Sequence, residues 1–246
     1  MNAINALRAL GPIDVRNIRR DSLLGWMIFV PLVSATVLRL AVPPITTSLL
    51  AQFGFDLAPY YPAILAYFFI MMGPIVFGVL VGFLLLDERD DDTLTALQVT
   101  PLSVNNYVVY RVIIPVILTI VLMFVIFPLA NLGSLSFWPL LLATLVAAPM
   151  APLFGLFLAT FANNKVQGFA MMKGSGGVLF APILAYFINN NWELAFGILP
   201  TYWPMKVYWL LEAGQGPVWP YVLVALVYQF ALLAFLVRRF NKILYQ

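Results

Sequence analysis

The chain has 246 residues, of which 63% are hydrophobic and only 9% are charged. Soluble proteins carry roughly 25% charged residues, so this composition excludes a soluble globular protein and predicts an integral membrane protein. Cysteine and histidine are both absent, which excludes disulfides, cysteine metal sites and the side chain that most often acts as a general base.

Residues 1–21 predict an amphipathic helix in front of the first apolar run. Arginines alternate there with leucine, isoleucine and valine at roughly helical spacing, and Gly11-Pro12 interrupts the pattern. A basic helix of this kind lies along an anionic membrane surface, so we expect contact with membrane lipids. The alternative is a basic tail that only sets the orientation of the first span. Because Pro43 and Pro44 follow the run where a signal peptide would have its cleavage site, we expect the run to be retained.

Six apolar stretches are long enough to cross a bilayer, whose core of about 30 Å requires about 20 helical residues. They leave no sizeable soluble domain, so residues 1–246 are predicted to form one transmembrane domain with an all-α fold. Prolines within the stretches are tolerated in membrane bundles, where neighbouring groups bond the freed carbonyls. Gly78 and Gly82, and the small residues at 174–177, predict close packing between helices. The predicted spans are 22–42, 61–86, 104–130, 137–161, 169–188 and 218–238.

The lysines and arginines predict the orientation of these spans. Six spans place both termini on one side of the membrane. Eleven of the thirteen basic residues fall on that side, so we predict that both termini are cytoplasmic. Only Arg39 and Lys206 fall on the other side. Residues 87–103 and 163–168 then form the two inside loops of a multi-pass protein of the cell membrane.

The first inside loop, residues 87–103, concentrates charge in a chain that has little of it. Five of the ten acidic residues lie at its start, and acids there suit the positive end of a helix. Leu94 and Leu97 share one face of this short helix, and Pro101 ends it. Because two turns are not stable alone, we expect the leucines to dock on a partner, with roughly 3–6 kcal/mol of gross burial energy. The alternatives are a tight turn between spans and a Mg²⁺ or Ca²⁺ site.

The segment at 189–217 is apolar but is not a simple span. Pro200 and Pro204 break it, and it is too short for two further crossings. We predict that it dips into the outer leaflet before the last span, as a re-entrant or interfacial hairpin. The alternative is a seventh span, which would place the basic C-terminal residues outside.

Several chemistries are missing from the sequence. No GxxxxGK[ST] motif is present, so the chain has no nucleotide-binding P-loop of its own, and Lys173-Gly-Ser-Gly-Gly has the reverse order. No acidic residue lies within a predicted span, which argues against a proton-coupled transporter. Among the charges only Arg39 is a candidate for depth in the bilayer, and it lies near the outer end of the first span, where its head group can snorkel to the interface. Catalysis is therefore not expected, nor is a bound cofactor, a metal or a nucleic acid.

Two stretches resemble a known family. The run ERDDDTLTAL at 88–97, followed by TPLS at 100–103, resembles the loop after the second span in ABC-2 type ABC transporter permeases. The run NKVQG at 164–168 resembles the second inside loop of the same family. The resemblance covers essentially the whole chain, although Asp92 stands where these permeases commonly have glycine. It implies a drug-exporter-like permease half that forms the export pathway with an identical or related second permease subunit.

The resemblance also implies an external energy source. Separate ABC ATPase subunits, which hold ATP and Mg²⁺, would dock on the inside loops. The apolar interior favours a hydrophobic or amphiphilic substrate, such as a drug or a lipid-like molecule. The alternatives are a secondary transporter or channel that works without ATP, and a membrane enzyme or assembly factor that uses a metal. The implied ATPase contacts are Glu88, Arg89, Asp90, Asp91, Thr93, Leu94, Leu97, Thr100 and Pro101 in the first loop, and Asn164, Lys165 and Gln167 in the second.

Overall fold

The apolar runs of the sequence form the helices from which the molecule is built. The computed structural model describes residues 3–91, 104–188, 190–214 and 216–244, and every regular element in these ranges is helical. Six helices of this described part are long and apolar enough to cross a membrane. The predicted all-α membrane fold with six spans is therefore confirmed.

The helices follow the chain order of the predicted spans, with shorter elements between them. The α-helices are α1 (Ala3–Arg20), α2 (Ser22–Phe53), α3 (Tyr61–Leu65), α4 (Met72–Asp90), α5 (Val104–Ala130), α6 (Phe137–Ala147), α7 (Met150–Phe161), α8 (Lys165–Phe180), α9 (Tyr202–Ala213) and α10 (Val218–Leu244). Three 3₁₀ helices cover Ala58–Tyr60, Ala181–Phe187 and Asn191–Ile198, and a π-helical turn covers Ala66–Met71.

The second and fourth spans form the centre of the bundle. The second consists of α3, the π turn and α4, and the fourth consists of α6 and α7, which are separated at Ala148 and Pro149. In the most apolar windows of these spans, 89% and 78% of the residues are buried, against 33% or less in the other four. Two helices surrounded by protein are thus enclosed by four that leave wide apolar faces open.

Glycines bring the two central spans into direct backbone contact. A Cβ atom at Gly78 would lie only 2.5 Å from the carbonyl oxygen of Ala151, and one at Gly155 would lie 2.9 Å from the carbonyl oxygen of Gly78. A Cβ atom at Gly82 would likewise lie 3.0 Å from the Cβ of Leu158. The close packing predicted for Gly78 and Gly82 is therefore confirmed, with α7 as the partner helix.

The second group of small residues does not pack in this way. Gly174, Gly176 and Gly177 in α8 would have no atom within 4 Å of an added Cβ, among the described residues of the protomer. The prediction of close helix packing at 174–177 is therefore wrong within one protomer. Glycine spacing alone predicts that a neighbour can approach, but it does not say which helix the fold brings there.

Prolines interrupt the first two helices less than the sequence predicts. α1 runs through Gly11 and Pro12 without a break, because Leu10 and Asp14 on either side are buried against the bundle. α2 continues to Phe53 instead of ending at residue 42.

Two threonine hydroxyl groups near the end of α2 donate hydrogen bonds to the backbone of the same helix. Beside Pro43 and Pro44, Thr46 Oγ1 donates to the carbonyl of Val42 at 2.9 Å, and Thr47 Oγ1 donates to the carbonyl of Pro44 at 2.9 Å. Pro43 and Pro44 leave the carbonyls of Arg39 and Leu40 without a helical donor, so the threonine bonds lie beside this interruption and do not replace the missing ones. The helix stops at Gly54, which adopts a left-handed conformation with φ of 65°.

The segment before the last span contains a short helix, α9, that packs within the bundle. α9 packs against α6, α10 and the π turn, at the end of the central spans opposite to residues 87–91. Tyr202, Met205 and Tyr208 of α9 are completely buried. At twelve residues, α9 is about 18 Å long, which is too short for a seventh span. The predicted insertion of residues 189–217 into the outer leaflet stays a prediction.

Candidate functional site

Both predicted inside loops start from the same end of the bundle. Lys165, the first residue of α8, places its Nζ 2.6 Å from Asp21 Oδ2 and 2.8 Å from Asp87 Oδ2. Asp21 precedes α2, and Asp87 lies near the end of α4. One ammonium group therefore joins the two loops to the start of the first span. We call this end, with residues 87–91 and 162–165, the loop end.

Asp21 is prepared for this contact by its position as the N-cap of α2. Its Oδ1 accepts hydrogen bonds from the backbone N–H of Leu23 at 2.9 Å and of Leu24 at 3.2 Å. The hydrogen bond from Lys165 lowers the pKa of Asp21, and it outweighs the opposing effect of partial burial. The carboxylate is thus ionised at neutral pH, and the ion pair with Lys165 is maintained.

Arg89 makes a second link between the loops. Its Nη2 donates to the carbonyl of Ala162 at 2.6 Å, and its Nη1 donates to the carbonyl of Ala159 at 3.4 Å. These carbonyls lie at the C-terminal end of α7, where a cation is favourable because it bonds orphan acceptors and opposes the negative end of the helix dipole. The sequence assigned Arg89 to a partner contact. In the structure its guanidinium instead links the start of the first inside loop to the start of the second.

Asn164 and Gln167 shape the start of α8. Asn164 is its N-cap, and its Oδ1 accepts from the N–H of Gln167 at 2.9 Å. Gln167 reaches back, so that its Oε1 accepts from the N–H of Asn163 at 2.7 Å. This reciprocal arrangement is close to a capping box. It makes the second inside loop a short turn, and it leaves Val166 79% exposed at its tip.

A buried charge cluster lies beneath the loop end. Its members are Asp14 of α1, Glu88 of α4, and Tyr107, Tyr110 and Arg111 of α5. Arg111 Nη1 lies 2.8 Å from Asp14 Oδ2, and Arg111 Nη2 contacts both Asp14 Oδ1, at 3.2 Å, and Glu88 Oε1. Tyr110 donates to Asp14 Oδ2 at 2.7 Å, and Tyr107 donates to Glu88 Oε2.

The cluster ties three distant segments together at the base of the first loop. Arg111 is 2% exposed, Glu88 7% and Asp14 8%. A buried guanidinium is tolerated only where carboxylates and hydrogen bonds compensate its desolvation. Because the sequence assigned Glu88 to an ATPase contact, its burial matters: in this conformation its carboxylate faces Arg111 instead of a partner.

The remaining residues of the predicted contact divide into two groups. Asp90 and Asp91 are exposed at the end of α4, where a partner can reach them. The others lie outside the described residues, and their role stays a prediction; they are Thr93, Leu94, Leu97, Thr100 and Pro101.

A cavity of about 600 Å³ opens at the opposite end of the bundle. We call it the distal cavity. The 3₁₀ segments around residues 185–193 form one side, and α9 with Pro62 forms the other. Its charged lining residues are Glu193, Lys206 and Glu212, and aromatic rings of Tyr186 and Trp209 complete the wall. No pattern in the sequence points to either of these carboxylates.

Comparisons with known proteins agree with this architecture. A family model described as fluoroquinolones export permease protein Rv2686c-like matches residues 14–237. The chain belongs to this family. Two relatives, the fluoroquinolones export permease proteins MT2760 and Rv2686c of two Mycobacterium tuberculosis strains, CDC 1551 / Oshkosh and ATCC 25618 / H37Rv, are each 38% identical over 242 residues. The match covers 96% of this chain and 94% of each relative. No solved structure gives a significant match.

Membership of this family confirms the resemblance to ABC-2 type export permeases that the two loop motifs indicated. The chain is a multi-pass protein of the cell membrane and a permease subunit of an exporter. As an export permease it is a transport subunit and not an enzyme.

Most of the charge cluster of this permease could not be predicted from the sequence. In the sequence, Arg111 contributed only to the count of basic residues that predicts the orientation of the spans, and Arg39 was the candidate for a charge at depth. Arg39 is instead exposed, with its Nη1 3.4 Å from the carbonyl of Leu129, while Arg111 is buried. A signal was present, since an arginine within the apolar run VVYRVII requires acidic partners. Nothing in the pattern identified Asp14, almost a hundred residues earlier, as one of them.

Proposed function

We propose that this permease is the membrane subunit of an ATP-driven exporter, and that separate ATPase subunits dock on its loop end. The observation that carries the proposal is the joining of the starts of both inside loops by Lys165 and Arg89. Two loops with a common base present one surface to a partner and move together when it moves. The absence of a P-loop from the sequence requires that ATP and Mg²⁺ be held by another chain.

Different loop residues have different roles in this proposal. Leu94 and Leu97 are the apolar anchors in a groove of the ATPase, and Asp90 and Asp91 are polar contacts beside them. Glu88 and Arg89 act mainly as positioning residues, because their side chains are engaged with Arg111 and with the end of α7. Asn164, Lys165 and Gln167 shape the second contact. The charge asymmetry of the sequence supports a cytoplasmic location for this end.

The substrate class follows from the relatives and from the interior. Both relatives are named as fluoroquinolone export permeases, and the distal cavity of this permease combines polar and aromatic walls. We therefore propose export of an amphiphilic aromatic drug of the fluoroquinolone type. The family relationship also favours a dimer of permease subunits around the export pathway.

The open faces of the spans support a second permease subunit. The first and fifth spans are the least buried of the six, and α8 carries the glycines that have no neighbour within the described protomer. Small residues allow a second helix to approach closely in a membrane. We propose that the α8 face meets an identical or related subunit.

Association with an ATPase tests the coupling proposal. Leu94→Asp together with Leu97→Asp is expected to abolish co-purification of the ATPase subunit in mild detergent, because two charges cannot enter an apolar groove. Membrane insertion is expected to be unchanged, since the loop lies outside the spans. The matched control is Leu94→Met with Leu97→Met, which keeps apolar side chains and is expected to retain the ATPase.

Two outcomes would contradict the proposal. One is normal ATPase association in the double aspartate variant, which would refute the assigned anchors. The other is substrate flux in proteoliposomes that contain this permease without any ATPase, which would indicate a secondary transporter or channel.

A further inference from the structure

The distal cavity carries an uncompensated negative charge. Lys206 is already neutralised by Glu193, since its Nζ lies 2.7 and 2.8 Å from the two carboxylate oxygens. Glu212 lines the same cavity, and within the described part of the chain no lysine or arginine lies at ion-pair distance from it. The cavity therefore has one carboxylate more than it has cations.

Glu212 is held in a defined orientation. Its Oε1 accepts hydrogen bonds from the N–H of Ser134 at 2.7 Å and from Ser134 Oγ at 2.8 Å. Its Oε2 is buried and accepts no hydrogen bond of ordinary geometry from the described residues. The neighbouring Tyr208 hydroxyl can donate to this carboxylate, but it carries no positive charge, which an ammonium ligand would supply.

Tyr208 lies beside this carboxylate and does not supply the charge. Burial raises the pKa of the Tyr208 hydroxyl well above its ordinary value, and the nearby Glu212 carboxylate raises it further. The hydroxyl is therefore neutral throughout the physiological range, and the charge on Glu212 is left to a ligand.

The same cavity has an aromatic wall that suits a cation. The rings of Tyr186 and Trp209 lie with centroids 5.2 Å apart at an interplanar angle of 65°. Tyr186 is fixed by a hydrogen bond from its hydroxyl to the carbonyl of Pro59 at 2.6 Å, and Trp209 is only 7% exposed. Rigid aromatic faces attract organic cations and stack on flat ring systems.

The size of the cavity fits a drug-sized molecule. Ligand sites commonly have volumes of about 300–1,000 Å³ and combine apolar walls with a few placed polar groups, and this cavity has about 600 Å³. Its charged groups are distributed over two elements, with Glu212 on α9 and Glu193 on the preceding 3₁₀ helix.

We propose that the distal cavity binds amphiphilic organic cations, with the ligand ammonium at Glu212 and its aromatic body against Trp209 and Tyr186. The inference rests on the proposed export function and adds to it a recognition site and a charge requirement.

The test is equilibrium binding to the purified permease in lipid nanodiscs, without an ATPase. The probe is a fluoroquinolone that carries a basic piperazine ring, and the comparison ligand is the same molecule acetylated on that amine, which removes the positive charge. The permease is expected to bind the basic probe at least about tenfold more tightly than the acetylated ligand, as for the gain of one charge-assisted hydrogen bond. Glu212→Gln retains an acceptor for Ser134 and is expected to remove this preference.

The matched control is Asp56→Asn. Asp56 is an exposed acid in the segment between the first two spans, it does not line the cavity, and its hydrogen bond to the N–H of Ala58 can be kept by asparagine. This variant is expected to retain the full preference for the basic probe. Equal binding of the two ligands by the unmodified permease would overturn the proposal, as would an unchanged preference in Glu212→Gln or mere unsaturable uptake into the lipid.

Failure of this inference is distinguishable from failure of the proposed function. Glu212→Gln is expected to co-purify with the ATPase as the unmodified permease does, because the distal cavity lies at the end remote from the loops. The paired Leu94 and Leu97 aspartate variants are expected to bind the basic probe normally. Equal binding of the basic and acetylated ligands by an unmodified permease that still associates with the ATPase would reject the cavity alone.

Discussion

At the scale of single residues, Arg111 is the charge on which the loop end depends. Its guanidinium is almost fully buried and contacts Asp14 and Glu88, so that helices separated in sequence share one ionic centre. Removing one partner from a buried ion cluster leaves uncompensated charge, whereas replacing the whole cluster by neutral groups is often tolerated. The cluster is therefore expected to behave as a unit.

Arg111→Met is expected to lower the free energy of unfolding by about 3–5 kcal/mol, because Asp14 and Glu88 would be left buried without a cation. Thermal unfolding of the purified permease in detergent measures the effect. Adding Asp14→Asn and Glu88→Gln to the same chain is expected to restore most of the lost stability, since the buried charges are then gone.

The control for this prediction is Arg238→Met, at an exposed position in α10, where little change in the unfolding temperature is expected. An Arg111→Met variant that unfolds at the same temperature as this control would contradict the role given to the cluster.

At the scale of helices, the contact between α4 and α7 holds the centre of the bundle together. Their backbones meet at Gly78, Ala151 and Gly155, with no side chain between them at the closest point. Dispersion contacts of closely approaching helices are a main source of stability in a membrane. Because both helices are enclosed by the other spans, neither can move aside without disturbing the rest.

Gly78→Ala is expected to lower the free energy of unfolding by about 1–3 kcal/mol, because the added methyl group overlaps a backbone oxygen and pushes α4 from α7. Gly174→Ala is the matched control, since the space beside it is open in the protomer and alanine favours a helix by up to about 1 kcal/mol. Unfolding of the two variants in detergent, at a concentration that keeps protomers separate, gives the comparison. Equal stabilities would contradict the close contact.

At the scale of the whole molecule, the two ends of the bundle differ in chemistry. The loop end joins its segments by internal ion pairs and directs exposed acids outward, whereas the distal end holds a cavity with an unpaired carboxylate. In the proposed function the loop end receives the ATPase, and in the further proposal the distal cavity binds the substrate. The spans between them have wide apolar faces that a protomer does not cover.

Gly174→Leu with Gly177→Leu is expected to leave the protomer folded and to shift the permease from dimers toward monomers, because bulky side chains would prevent a second helix from approaching α8. The matched control is Ala231→Leu with Ala234→Leu on the exposed face of α10, which is expected to leave dimers intact. Subunit counting by photobleaching in nanodiscs measures both. Unchanged dimers in the glycine variant would place the interface elsewhere.

The sequence by itself determined the class of protein and its six membrane-spanning helices. A membrane helix satisfies all of its backbone hydrogen bonds within one segment, so the length of an apolar run is enough to identify it. The third span was even predicted at its observed bounds, Val104–Ala130. The loop motifs were sufficient for the family, because they are contiguous in the chain.

Only the tertiary structure decided which side chains meet. Asp14 and Arg111 are almost a hundred residues apart, and no local pattern connects them. Gly78 and Gly174 look alike in sequence, yet one lies against α7 and the other faces open space. The charge of Glu212 is left without a compensating cation because Lys206 pairs with Glu193, and only the structure shows this pairing. Side-chain partners depend on how distant helices pack, and neither hydropathy nor spacing along the chain contains that information.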